Sequence, residues 1–317
     1  PAGKNVVRIG RLLPSESVAI VAQVLGISGE VPLVDGEGTG KEDIDLLVET
    51  ARHHARSLVL LAQEVKRSGV RRTTEGLREL MVTMAERFPD DRERSLFASV
   101  ELSLRRLPEG MREKLRRIGV FQGGGHGYVI AQVLGLDYEN DEEVALGDQL
   151  IAVGLAERMP YQHLRLHPAL PPMMLREMSE AEREETRGVW VAAMTQLVDF
   201  LYQQRSKDAR LAAVLTLLEL PNLLSALDAL RRSLGEEGGD AERVVGVATN
   251  LEGLLHHLGR PKALARVVAV REEASRRLGE WSHARYEAES ATFDRLLDAG
   301  RVAEAVAKAE ELLPRAR

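Results

Sequence analysis

Leu254-Leu255-His256-His257-Leu258-Gly259-Arg260 returns as Leu296-Leu297-Asp298-Ala299-Gly300-Arg301, at an offset of 41–42 residues. In the first copy Leu251, Leu254, Leu255 and Leu258 fall at i, i+3, i+4 and i+7, which places them along one side of a helix. Gly259-Arg260 ends that helix, and a second runs from Lys262 to Leu278 before Gly279. The cycle then restarts: a helix from Trp281 to Leu297, the turn Gly300-Arg301, and a helix from Val302. A helix-turn-helix unit of this kind cannot bury its apolar side alone, so it must stack on its neighbours. The repeat decides the fold class, which is mostly α.

Working outward, everything from Ser179 onward reads as helix. Ser179 and Glu182 have capping-box spacing and open a helix that reaches about Gln204. Shorter helices are expected at 208–219 and 221–235, and Gly235 through Asp240 reads as a hinge. The repeat is similar to the tetratricopeptide (TPR) repeat but longer than that repeat's period of about 34 residues, so its helices should be long. Residues 241–317 are therefore expected to form a TPR-like α-solenoid, with 179–240 as linker and capping helices.

Residues 89–178 have a different pattern. Helices are predicted from Asp90 to about Arg106, Glu109 to Arg117, Tyr128 to Leu134 and Glu142 to Val153. Leu155–Met159 and His163–His167 flank Pro160-Tyr161-Gln162 as a β-hairpin. Helices capped by one small hairpin make a winged-helix domain. Residues 1–88 are expected to form a helical bundle, with helices near 16–25, 44–51, 57–66 and 74–87, and a short strand at 4–9.

Composition narrows the function. The chain has 317 residues, 44% of them hydrophobic and only 4% aromatic, which suits helical repeats. Its formal charge of -6 asks for neither nucleic acid nor an anionic membrane. With no cysteine, disulfides, thiolate metal sites and cysteine nucleophiles are excluded. No uninterrupted apolar run approaches the roughly 18 residues of a membrane span, and no signal-peptide core precedes the first helix. These features lead to the expectation of a cytoplasmic protein, and the missing start methionine to that of a fragment of a larger one.

Candidate chemistry is sparse. Gly40-Lys41 resembles the end of a phosphate loop, but Asp35 stands where the first glycine belongs and Glu42 where the Mg²⁺-binding hydroxyl belongs. Gly123, Gly124, Gly125 and Gly127 lack the dinucleotide spacing and read as a helix-to-helix turn. The pairs His53-His54 and His256-His257 diverge by about 100° if helical, so neither chelates easily. His163 and His167 share a strand face without a third metal ligand. No catalytic constellation is assigned. The third helix of the winged helix carries His126, Tyr128 and Gln132 but no Arg or Lys, so DNA contact is not expected of it.

The order of segments resembles the back half of a bacterial STAND signalling NTPase of the NB-ARC kind. Arg8 to Ser17 looks like the step after that family's nucleotide-binding core. Arg52-His53-His54-Ala55-Arg56-Ser57-Leu58-Val59-Leu60-Leu61-Ala62 falls where the family has Gly-His-Pro-Leu-Ala-Leu. Ser95 to Gly124 is similar to its winged-helix entry. Tyr161 to Pro168 resembles the strand bearing its Met-His-Asp motif. Glu219-Leu220-Pro221-Asn222-Leu223-Leu224-Ser225-Ala226-Leu227 is like the Glu-x-x-Asn-Leu-x-x-Ala-Leu motif that opens bacterial repeat regions.

The resemblance implies a switch in which an upstream P-loop domain holds ADP, closed over by the helical and winged-helix domains. The motif histidine, His167 here, then contacts the β-phosphate. Two positions depart from the family: Ala55 stands in place of the proline and Pro168 in place of the aspartate. With no P-loop domain in these residues, no cofactor is expected in this chain; ADP or ATP belongs with the missing N-terminal domain. The reading is a non-catalytic regulatory and sensor segment whose TPR-like repeats bind a protein trigger or partner. It is expected to be monomeric alone and to oligomerise within an activated full-length protein. The alternatives are a transcription regulator that binds DNA through the winged helix, and a passive TPR scaffold.

Overall fold

The computed structural model describes residues 12–25, 41–87, 94–108, 110–235, 240–278 and 283–314. The expected strand at 4–9, the glycine-rich phosphate-loop lookalike, the Asp90 cap and most of the 235–240 hinge lie outside the described residues.

The protein is mostly helical, with one small three-stranded antiparallel sheet. In chain order the elements are α1 (Pro14–Leu25), α2 (Lys41–Thr50), α3 (Ala55–Ser68), α4 (Val70–Arg87), α5 (Arg94–Leu104), α6 (Met111–Leu115), β1 (Gly124–His126), α7 (Gly127–Leu134) and α8 (Glu142–Ala152). Then come β2 (Ala156–Arg158), β3 (His163–Leu166), α9 (Leu170–Glu177), α10 (Glu180–Gln204), α11 (Ala209–Ser233), α12 (Ala241–Leu255), α13 (Pro261–Ser275), α14 (His283–Asp298) and α15 (Val302–Leu312). The sheet order is β1-β3-β2.

Three local readings change. Gly123–Gly127 is not a plain helix-to-helix turn, because Gly124–His126 forms strand β1. The two helices expected on either side of Pro221 are one 25-residue helix, α11, with the proline inside it. Helix α9 arises from Leu170-Pro171-Pro172, where prolines fit because the first helical turn needs no N–H donors.

The chain clusters into two compact units, each drawn from more than one stretch of sequence. The first comprises 1–119, 141–158 and 165–178. Leu58, Leu61, Leu77, Leu80, Phe97 and Val100 are among its buried side chains. Carboxylates at the edge of this core are paired. Glu101 takes two hydrogen bonds from Arg112, at 2.5 and 2.8 Å, and Glu64 takes one from Arg106 at 2.6 Å. Gly119 lets α9 approach closely, since a Cβ there would lie 2.6 Å from the backbone nitrogen of Leu175.

The second unit comprises 120–140, 159–164 and 179–317. Ser179 and Glu182 form the expected capping box at the start of α10. Successive helices pack as pairs, α10 with α11, α12 with α13 and α14 with α15. The first helices of the pairs also pack in a row, α10 on α12 and α12 on α14. Leu251, Leu254 and Leu255, the stripe that announced the repeat, are buried. Gly259 and Gly300 take left-handed φ values of 64° and 71°, which is why glycine recurs at these two turns. A buried ion pair ties the array together: Arg271 of α13 lies 2.8 Å from Glu252 of α12 and donates to Thr292 of α14 at 3.2 Å. By length and composition α11 could cross a membrane, but here it is a packed helix, with α10, α12, α13 and β1 against it.

Candidate functional site

His167 follows β3, and its backbone N–H donates to Leu155 O at 2.8 Å. Its Nδ1 accepts from the Ala169 N–H at 3.3 Å, which places the proton of the neutral ring on Nε2. Burial pushes its pKa down to about 4, with the charges of Arg56 and His54 adding to the effect. At neutral pH the ring is therefore an uncharged N–H donor. The fold thus brings His54 and Arg56 within electrostatic reach of His167, over 100 residues later in sequence.

The other side of this cluster is the turn between α2 and α3. Arg52 and His53 both take φ of 55°, a left-handed conformation unusual for residues with a Cβ. His53 is not on a helix, so the diverging-pair geometry expected for His53-His54 does not apply. The turn is held by His53 Nδ1, 3.1 Å from the buried Ser17 hydroxyl, and by the His53 N–H donated to Val48 O at 3.2 Å. His54 caps α3, its Nδ1 accepting from Ser57 N–H at 3.4 Å. Ala55, the departure from the family's proline, is the first helical residue. That is a first-turn position, where proline is also accommodated because the N–H there is not needed. The first turn of α3 carries N–H groups without intrahelical acceptors and a partial positive charge. Arg56 lies in that first turn, and its charge reaches His167.

A second cluster lies wholly in the other compact unit and was not assigned a role from sequence. Asn222 Oδ1 accepts from the Gln122 N–H, and its Nδ2 donates to Gly124 O, both at 2.7 Å. Glu219 accepts from the His126 N–H at 2.5 Å and from Asn222 Nδ2 at 2.7 Å. Two side chains three apart on α11 therefore satisfy alternate backbone groups of Gln122–His126. β1 is an edge strand, and α11 covers its outer edge in place of another strand. Glu219 and Asn222 belong to the motif noted for its resemblance alone.

His163 is buried with its Nε2 3.6 Å from Glu219 Oε1, so its environment is this cluster rather than a metal site. Among the described residues no group of three metal-ligating side chains occurs. Val129, Ile130, Val133 and Leu134 of α7 are buried and α10 packs on that helix. Tyr128 and Gln132 of α7 hydrogen-bond to Gln196, at 3.3 and 3.2 Å. His256 Nε2 lies 2.9 Å from Asp298, across the α12 and α14 helices of the repeat. Compared with protein-family models, curated proteins and solved structures, the chain matches none.

Proposed function

We propose that these residues form the regulatory and sensor part of a STAND-type, NB-ARC-like switch. They are non-catalytic in themselves and work with a nucleotide-binding domain supplied from outside residues 1–317. The observation that carries the reading is the cluster of His167 with His54 and Arg56 at the start of α3. Two stretches that separately resemble the family's nucleotide-contacting motifs meet there, and what they assemble is cationic and rich in N–H donors. A neutral histidine beside an arginine suits a phosphate sensor, since a bound anion favours the imidazolium and strengthens the hydrogen bond. On this reading the paired helices α10 to α15 act as TPR-like repeats that bind a protein partner, in the cytoplasm.

The DNA-binding alternative needs α7 as its reading helix. Its apolar side packs under α10 and its polar side chains are engaged by Gln196, which favours the switch over that reading. The test is nucleotide binding to the complete natural polypeptide beside residues 1–317 by themselves. ADP bound by the former, and weakened tenfold or more by His167→Ala, is expected. A complete polypeptide that binds neither ADP nor ATP overturns the reading. Signalling left untouched by His167→Ala points instead to a passive scaffold.

A further inference from the structure

The clamp on β1 is built around a carboxyl group with no exposure to water. Glu219 meets the His126 N–H, the Asn222 amide and, at 3.6 Å, the Nε2 of His163. The titratable side chain that faces it is His163 from β3; His126 of β1 meets it through the backbone N–H, its ring accepting from Tyr128 N–H at 3.2 Å. No charge from α10, α12 or α13, the helices packed on α11, shifts its ionisation; burial raises the pKa to about 7 against the pull of its two hydrogen bonds.

We propose that Glu219 is a buried proton-binding site that sets how firmly α11 holds the edge of β1. With the proton bound the clamp stays shut, and with the proton lost it opens more readily. A neutral carboxyl group is cheap to bury, whereas an anion is not. Once the proton leaves, an anion remains in a dry site with two donors, and lifting β1 from α11 is its route to water. Each opening above neutral pH then exposes one carboxylate, and closing at lower pH takes up one proton. The inference does not depend on the nucleotide reading, because it concerns only β1, β3 and α11.

The sign follows from the two states. In the closed clamp the pKa of Glu219 is about 7, and in the open one it returns towards 4.5. Its contribution to closure is full below pH 4.5 and is lost as pH rises through 7. His126 works in the opposite sense, since burial holds it at about 4 and opening lets it return towards 6.5. The two oppose each other in the natural chain over most of the acidic range, so each must be isolated.

Amide hydrogen exchange at Gln122 and His126, corrected for intrinsic rates, isolates them. In His126→Asn, which keeps a capping side chain without the titration, protection should fall by up to tenfold per pH unit between about pH 5 and 7. In Glu219→Gln, which keeps an acceptor for the residue-126 N–H, protection should instead rise with pH up to about 6.5. Protection in His126→Asn that is flat or rises with pH overturns the proposal, as does Glu219→Gln behaving like the natural chain. Should either variant fail to fold, the side-chain carboxyl carbon of Glu219 is titrated by NMR in the natural chain. A midpoint above about pH 6 is expected, and one below it overturns the proposal.

Discussion

The two histidine-bearing clusters of this molecule are built on opposite principles. Around His167 the histidine rings are half-buried, the backbone at Arg52 and His53 is held left-handed, and the exposed Arg56 stands at a helix start. Around Glu219 the side chains are buried, the left-handed backbone position is a glycine (Gly123, φ 87°) rather than a residue with a Cβ, and the polar groups face hydrogen-bond partners within the chain. On the proposed reading the first arrangement serves a ligand from outside the chain. The second spends its hydrogen bonds on the chain's own strand edge. A cluster that holds structure together should therefore respond strongly to mutation in stability, and a cluster poised for a ligand should respond weakly in stability and strongly in binding.

The largest expected effect lies in the Glu219 cluster. Asn222→Ala removes both bonds to the β1 segment and one donor to Glu219, leaving the carbonyl of buried Gly124 and the buried Glu219 carboxyl group each short of a partner. A loss of about 3 kcal/mol is expected, since each buried polar group left unpaired costs roughly 1–3 kcal/mol. Urea unfolding followed by circular dichroism measures it, and a loss below about 1 kcal/mol breaks the contrast drawn here. The same substitution should leave the environment of His167 untouched.

How far these clusters were legible in the sequence follows the same divide. The capping box at Ser179, the leucine stripe at 251–258 and the hairpin at 155–167 depend on neighbours within a few residues, and each appears where its local pattern placed it. β1 does not. Gly124-Gly125-His126 has no strand propensity of its own and becomes a strand through β3 and two side chains about 95 residues away. Pro221 looked like a helix boundary because it lacks an N–H, yet packing on α10, α12 and β1 carries α11 straight through it. The turn at Arg52-His53, between the two helices expected there, gave no local sign of two consecutive left-handed residues without glycine. His167 could be singled out only by resemblance, because its surroundings come from α3, over 100 residues earlier. Glu219 and Asn222 were visible as a motif, but the backbone they pair with was not.

A smaller effect is expected at His167, and it sharpens the comparison through pH. Its pKa is about 4 in the folded chain against 6.5 when free, so the folded form binds fewer protons between those values. The stability linked to this group is present above pH 6.5 and is lost as pH falls through 4. His167→Asn, which can still accept from Ala169 N–H, should make the acid limb of the stability curve shallower. At pH 7.5 it should change stability by no more than about 0.5 kcal/mol. An oxyanion at the α3 start would raise the His167 pKa. Phosphate added at pH 5.5 should therefore move the His167 ring proton resonances towards the imidazolium form, and an unshifted titration at tens of millimolar phosphate counts against an anion site.

The smallest effect tests the strained turn itself. Arg52 is exposed and takes φ of 55°. Holding a residue with a Cβ there costs roughly 1–2 kcal/mol, and glycine adopts the same backbone without that cost. Glycine also adds freedom to the unfolded chain, which takes back roughly 0.4–1 kcal/mol. Arg52→Gly should therefore stabilise the protein by about 0.5 kcal/mol, read as a rise in the urea midpoint. His53→Gly relieves the same φ but also removes the bond to Ser17, buried with no exposed surface. It should destabilise, because an unpaired buried hydroxyl costs roughly 1–3 kcal/mol and outweighs the relief. Opposite signs at adjacent residues with the same φ separate strain that is merely tolerated from strain held in place by a side-chain bond. Equal signs mean that the Ser17–His53 bond does not hold the turn, and the turn then owes its geometry to the packing of α1 against α2 and α3.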